Sequence, residues 1–537
     1  MKKQIFQPRL LHNFLINNAE KYYDKEALIF DNNRITYGNL NDRSTRFANS
    51  LIHLGINRHD RVIIFLDNSV ESVISIWGIL KTGAVFIVLN GSIKSNKLEY
   101  IIKDSGANFI VADSRKYDVV SSALNHNGCD IKIIWVGINF TDENQNNSTA
   151  FFFDELIDNH NIEISKNLAD RMDKIIDYDL ASLIYTSGST GEPKGVISSH
   201  FNMISAARSI IEYLENDHND IILEVLPLSF DYGLYQMIMS IMFGGTMVLE
   251  TSFMFPIKIV QIIEEEKITG FPIVPTIIAL LLKMKDIENY KFDSLRYISN
   301  TGAAFPVPHI QKFNQLFPRI KIFSMYGLTE CKRIAYLPPE EISNRPSSVG
   351  KAIPNCEVFI LDESGNEVTS GEIGELVVRG SNVMRGYWNS PELTEKVYRK
   401  GLYQGETLLY TGDLFRKDEE GYLYFLGRKD DMIKSKGERI SPKEIENVLC
   451  SINGVAEAAV IGVPDEILGQ AIKAFIVKKD GSELEINDIL YYCSKNIEPF
   501  MVPRYIEFIK ELPKSPNGKV DKKILKQELL MKGQNEL

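Results

Sequence analysis

Cysteine is scarce in this 537-residue chain, which contains only Cys129, Cys331, Cys356, Cys450 and Cys493. They are odd in number, form no CxxC pair and lack histidines at metal-ligand spacing. This argues against a disulfide framework or a zinc site and points to a reducing, cytoplasmic setting. A long uninterrupted apolar run is also missing. Gln, Pro, Arg, His and Asn break up the N-terminal stretch, unlike a signal peptide. The richest run, Ser69 to Leu89, carries Glu71, Lys81 and two glycines. It reads as a helix followed by a strand rather than a membrane span, so no integral membrane association is expected. Nor does positive charge dominate. The 60 Lys and Arg against 71 Asp and Glu leave a formal charge of −11, the opposite of a nucleic-acid binder's footprint.

What is present is length and alternation. A chain this long exceeds one compact core, so two or more domains are expected. Through the first three hundred residues, apolar strands alternate with amphipathic helices. Strands are expected at 61–66, 85–88, 108–112 and 131–136, with a helix over about 70–80, a pattern of α/β layers with mostly parallel sheet. Beyond about Lys351, short β-like runs between glycine-rich turns indicate a smaller β-rich section. After a break near Gly427 to Asp431 comes a compact α+β unit. Its helices are expected near 442–450 and 486–496, and its strands near 456–461, 471–478 and 505–509.

The densest chemical signal is Tyr185-Thr-Ser-Gly-Ser-Thr-Gly-Glu-Pro-Lys-Gly195. It follows the apolar Leu183-Ile184 and leads toward a helix beginning near Asn202. Its glycines let backbone N–H groups approach phosphate oxygens, its hydroxyls add donors, and Lys194 adds positive charge. The spacing is not that of a Walker A loop.

This segment resembles the phosphate loop of the adenylate-forming superfamily: acyl-CoA synthetases, adenylation domains and luciferases. The resemblance runs in order from Thr36-Tyr37 to Lys519 and looks closest to bacterial acyl-CoA ligases and free-standing adenylation enzymes. It implies a large N-terminal adenylation domain, residues 1–429, of layered α/β subdomains plus the β-rich section. A small mobile α+β C-terminal domain, residues 430–537, carries the catalytic lysine. Thr186, Ser187, Gly188, Ser189, Thr190, Gly191 and Lys194 would hold the ATP phosphates. In Tyr326-Gly-Leu-Thr-Glu330, Tyr326 would lie against adenine, Thr329 would touch the α-phosphate and Glu330 would hold Mg²⁺. Gly302 and Ala303, within Thr301-Gly-Ala-Ala304, match the stretch beside adenine and the acyl pocket. Asp413 of Tyr410-Thr-Gly-Asp413 matches the ribose ligand, since a carboxylate accepts two hydrogen bonds from a cis-diol. Arg428 would reach the nucleotide, Asp430 would be the hinge, Gly437 would let a pantetheine arm pass, and Lys519 would act on the substrate carboxylate and α-phosphate.

The implied reaction couples a small carboxylic or amino acid to a thiol. Acid plus ATP gives acyl-AMP and pyrophosphate, and thiol attack then gives a thioester and AMP. Coenzyme A is the expected acceptor. The phosphopantetheine of an acyl carrier protein supplied in trans is the alternative. By position the acyl pocket includes Asp231, Tyr232, Tyr235, Ser299, Thr301, Met325, Arg333 and Ile334. Asp231 has three readings: partner of a substrate ammonium, partner of Arg333, or helix cap.

Overall fold

The computed structural model describes residues 8–124, 131–137, 150–158, 166–187, 192–303, 305–429, 431–435, 438–465, 469–514 and 520–527. Its first half builds two largely parallel sheets. In the seven-stranded sheet, Ala150–Phe152, Lys132–Val136, Phe109–Asp113, Arg61–Phe65, Val85–Val88 and Leu180–Ser187 run parallel in that order, and Pro193–Ser199 closes one edge antiparallel. In the nine-stranded sheet, the parallel centre runs Lys321–Tyr326, Tyr297–Asn300, Gly270–Ile273, Ile221–Glu224, Thr246–Leu249 and Glu26–Phe30. The early strands lie within about a residue of their expected places because each is an apolar run buried on both faces, as parallel sheets require.

Between these sheets sit the helices Tyr37–His53 and Val70–Thr82. Ser69 starts the second by accepting a hydrogen bond from the Ser72 N–H, and Gly83, at φ +76°, ends it. It has almost no exposed face, so even Lys81 is buried. Its ammonium is held by Asn41 O and Oδ1, Ser44 Oγ and Thr45 Oγ1 at 2.8–2.9 Å, with its pKa pushed down to about 7 by burial.

A five-stranded antiparallel sheet follows, formed by Cys356–Leu361, Gly374–Gly380, Tyr398–Lys400, Thr407–Lys417 and Leu423–Arg428. The last sheet contains Ile433–Ser435, Glu438–Ile440, Val455–Asp465, Gly469–Lys478 and Tyr505–Phe508. With the helices Pro442–Ser451 and Ile486–Asn496 it encloses a separate core that includes Leu449, Val460, Ile472 and Ile489. The architecture is mixed α/β, a large sheet-rich N-terminal part followed by a smaller α+β C-terminal part.

Two buried histidines make this fold sensitive to acid. His12 packs edge-on against His200 at 5.9 Å, and His200 Nδ1 accepts the Leu11 N–H. Burial lowers both pKa values, that of His200 from its ordinary 6.5 to about 4, and each proton resisted in the folded chain is accepted in the unfolded one. Their contribution is intact above pH 6.5 and is lost as pH falls toward 4. Urea unfolding is therefore expected to lose about 2 kcal/mol through His200 between pH 6.5 and 5, with His12 acting in the same direction and His200→Gln flattening the slope.

Candidate active site

The strands Leu180–Ser187 and Pro193–Ser199 form a hairpin whose register pairs Thr186 with Lys194 and Ser187 with Pro193. The sequence suggested strand, loop and helix here; a second strand intervenes before the helix His200–Leu214. Pro193 and Gly195 hide it, and the edge position of the strand tolerates both. Gly188, Ser189, Thr190 and Gly191 lie outside the described residues. Thr186 Oγ1 is buried with no hydrogen-bond partner among the described residues, so it is available to a ligand.

Lys194 is carried by this hairpin to the loop that follows Lys321–Tyr326. Its ammonium lies 3.6 Å from Glu330 Oε1, donates to Tyr387 Oη at 3.1 Å and sits 4.3 Å from the centre of the Tyr387 ring. Tyr387 in turn donates to Glu330 Oε1 at 2.6 Å. Burial and the Glu330 charge push the tyrosine pKa up, so its hydroxyl stays protonated as a donor. Tyr387 was not selected from the sequence. It arrives because residues 385–388 pair with the hairpin, Trp388 N–H to Gly195 O at 2.8 Å and Ile197 N–H to Gly386 O at 2.9 Å. The backbone of Glu330 is fixed from the same side by the Met384 N–H at 2.9 Å. Among the described residues no cluster of three or more His, Cys, Asp or Glu side chains could hold a metal alone. One carboxylate beside a lysine expected to meet phosphate nevertheless suits Mg²⁺, which would complete its shell with phosphate oxygens and water. Tyr387→Phe is expected to slow turnover about tenfold by releasing Glu330, with the half-saturating Mg²⁺ concentration rising in parallel.

Tyr326 and Thr301-Gly-Ala303 stand at the carboxyl ends of neighbouring parallel strands, where open α/β sheets place ligands. The loop is held by Asn300 Nδ2 donating to Ala303 O at 3.1 Å; Thr301 is buried, Gly302 half-buried and Ala303 exposed. Ala304 lies outside the described residues. The Tyr326 hydroxyl donates to Asp413 Oδ2, and Arg428 Nε lies 2.8 Å from Asp413 Oδ1. Asp413 and Arg428 are cross-strand partners, which fixes the pair. The Tyr326 ring packs against Phe415 at 4.9 Å and Phe425 at 6.0 Å. Tyr326 and Arg428, both expected on the nucleoside, thus converge on the buried carboxylate of Asp413.

The loop 327–333 is folded back tightly. A Cβ on Gly327 would lie 2.3 Å from Lys332 O and 2.8 Å from Arg333 Cα, so only glycine fits. Thr329 and Glu330 sit within this loop, half-buried, and Cys331 is fully buried. Lys332 takes φ +68°, unusual for lysine, and its buried ammonium reaches the start of the helix Asp231–Phe243. There it donates to Asp231 O, lies 3.5 Å from Asp231 Oδ2 and sits over the Tyr235 ring at 4.2 Å. The anticipated Asp231–Arg333 pair does not form; Lys332, one residue earlier and overlooked, takes the carboxylate because its left-handed turn points it at the helix. Asp231 does not cap either, since it is the first helical residue after the N-cap Phe230. Tyr232 Oη bonds Ser299 O and Oγ at 2.8 Å, Met325 Sδ accepts from Tyr213 Oη at 2.9 Å, and Tyr235 and Ile334 are fully buried.

A model of the AMP-binding enzyme family matches residues 15–388, and one of the AMP-binding enzyme C-terminal domain matches residues 444–519. The chain belongs to the AMP-binding enzyme family. Among relatives of this AMP-binding enzyme, the long-chain-fatty-acid–CoA ligase of Bacillus subtilis is 30% identical, over 97% of this chain and 94% of the relative. The structure of an anthranilate CoA ligase in complex with anthranoyl-AMP superposes with TM-score 0.88 at 27% identity, covering 99% of this chain and 100% of the other. That of the o-succinylbenzoate CoA synthetase of Bacillus subtilis with its acyl-adenylate intermediate superposes with TM-score 0.80 at 28% identity, covering 96% and 98%. Asp430, Gly437 and Lys519 of this AMP-binding enzyme lie outside the described residues.

Proposed function

We propose that this AMP-binding enzyme is an AMP-forming acid–thiol ligase that activates a carboxylic acid with ATP and transfers the acyl group to coenzyme A. The observation that carries this reading is that a phosphate-side set, Lys194, Tyr387 and Glu330, and a nucleoside-side set, Tyr326, Asp413 and Arg428, are built on either end of the short segment from Tyr326 to Glu330. Thr329, in the segment between the two sets, would then meet the α-phosphate.

The chemistry follows from charge. A carboxylate resists thiol attack because it is anionic and offers no good leaving group. Attack of the acid on the α-phosphate yields a mixed anhydride with release of pyrophosphate, and thiol attack on that anhydride releases AMP. Lys194 and the hairpin amides offset phosphate charge, Glu330 would hold Mg²⁺, which neutralises the departing pyrophosphate, and Tyr387 keeps Glu330 in place. Asp413 would accept from the ribose hydroxyls, with Tyr326 beside the adenine. We assign residues 1–429 and 430–537 to two domains with Asp430 as the hinge, Lys519 as the lysine orienting the acid and Gly437 as the passage for pantetheine. A cytoplasmic setting agrees with free cysteines at the described positions and with use of ATP and coenzyme A.

An amino acid delivered to a carrier protein in trans is less well supported. The carboxylate that would receive its ammonium, Asp231, already faces Lys332. Incubation with ATP, Mg²⁺, coenzyme A and a panel of carboxylic acids, read by mass spectrometry, is expected to yield acyl-CoA and AMP in equal amounts. Release of ADP, or acyl transfer only to a carrier protein, would refute this assignment.

A further inference from the structure

Arg333 is 2% exposed, yet Nε and Nη2 have no hydrogen-bond partner among the described residues. A buried guanidinium without an anion is unfavourable unless something else completes it. The nearby carboxylates do not. Asp231 faces Lys332, and burial pushes the Glu224 carboxyl well above its ordinary range, which disfavours its anionic form. The guanidinium lies 5.2 Å from the Tyr232 ring and meets the Tyr213 hydroxyl, which also bonds Met325. It thus stands between two residues of the acyl end. The Gly327 contact sets the Arg333 backbone against the start of the loop carrying Thr329 and Glu330.

We propose that Arg333 receives a second anionic group on the substrate, which is a short acid carrying another carboxylate besides the one activated. This rests on the ligase reading above. The planar fork of the guanidinium accepts a carboxylate through two parallel hydrogen bonds, and Lys332 adds positive potential while keeping Asp231 from repelling it.

The test is ATP–pyrophosphate exchange driven by succinate, glutarate and adipate, each against the monocarboxylate of equal carbon number, with wild type and Arg333→Met. The dicarboxylate is expected to exceed its partner in kcat/KM by on the order of a hundredfold, the scale of losing one member of a buried charged pair. Arg333→Met should erase that preference. If it does not fold, Arg333→Lys replaces it, with an intermediate preference expected because the charge remains and the fork is lost. Exchange confined to acids with a single carboxylate, or a preference that survives in the variant, overturns the proposal and leaves the ligase reading standing. Absence of exchange with every acid, long-chain and aromatic ones included, would defeat the ligase reading itself.

Discussion

Glu330→Gln is expected to lower the rate of acyl-adenylate formation by between about a hundred- and a thousandfold, the range for removing one preorganised electrostatic contact to a transition state. The substitution keeps size and shape but removes the one carboxylate of the Lys194–Tyr387–Glu330 group. Lys194 then lacks its counter-ion, and Mg²⁺ would lose the carboxylate proposed to hold it. The half-saturating Mg²⁺ concentration should rise together with the loss in rate. Because the Glu330 side chain retains 14% exposure, the amide remains solvated and the melting temperature should change little. Combining Glu330→Gln with Tyr387→Phe should add almost nothing to the single change, since Tyr387 acts by positioning Glu330. An additive double variant would mean that Tyr387 has a separate role.

Asp413→Ala is expected to raise the KM for ATP by on the order of a hundredfold, because the two charge-assisted hydrogen bonds proposed to reach the ribose would be lost. Unlike Glu330, Asp413 is also a structural centre, 2% exposed and bonded to both Tyr326 and Arg428. Its removal leaves the Tyr326 hydroxyl buried without an acceptor, so unfolding free energy should fall by about 1–3 kcal/mol. Asp413→Asn retains one acceptor and should lose less of both. Calorimetric ATP binding and thermal melting on the two variants separate the ribose contribution from the structural one. A KM unchanged in Asp413→Ala would remove Asp413 from the nucleotide site.

The parts of this site legible in the sequence are those where chemistry and local spacing coincide. Lys194, Tyr326, Glu330, Asp413 and Arg428 each lie in a short motif of glycines, hydroxyls and charge, and the structure brings them into two contact groups, Lys194 with Glu330 and Asp413 with Tyr326 and Arg428. The parallel strands were legible for a similar reason, being short apolar runs bounded by turns. Tyr387 and Lys332 were not, because their positions depend on tertiary pairing. Tyr387 reaches Glu330 only when residues 385–388 add to a hairpin almost two hundred residues earlier, as the bridge between Val196 and Tyr387 records. Lys332 looks like one of many solvated lysines until a left-handed turn buries it against Asp231. The hairpin strand Pro193–Ser199 escaped notice because its proline and glycine suppress the usual strand signal. Gly233 carries a meaning that spacing alone conceals. A Cβ there would lie 2.5 Å from Pro227 O, so the glycine lets its helix begin directly against the 226–227 backbone.

Carboxylate-dependent ATP–pyrophosphate exchange tests most directly whether this chain activates a carboxylate by adenylation. Exchange is predicted to require both acid and Mg²⁺, to proceed without coenzyme A, and to collapse in Glu330→Gln and in Lys519→Ala. Exchange absent with every carboxylic acid supplied while ATP still binds, or ATP converted to ADP and phosphate, would contradict it.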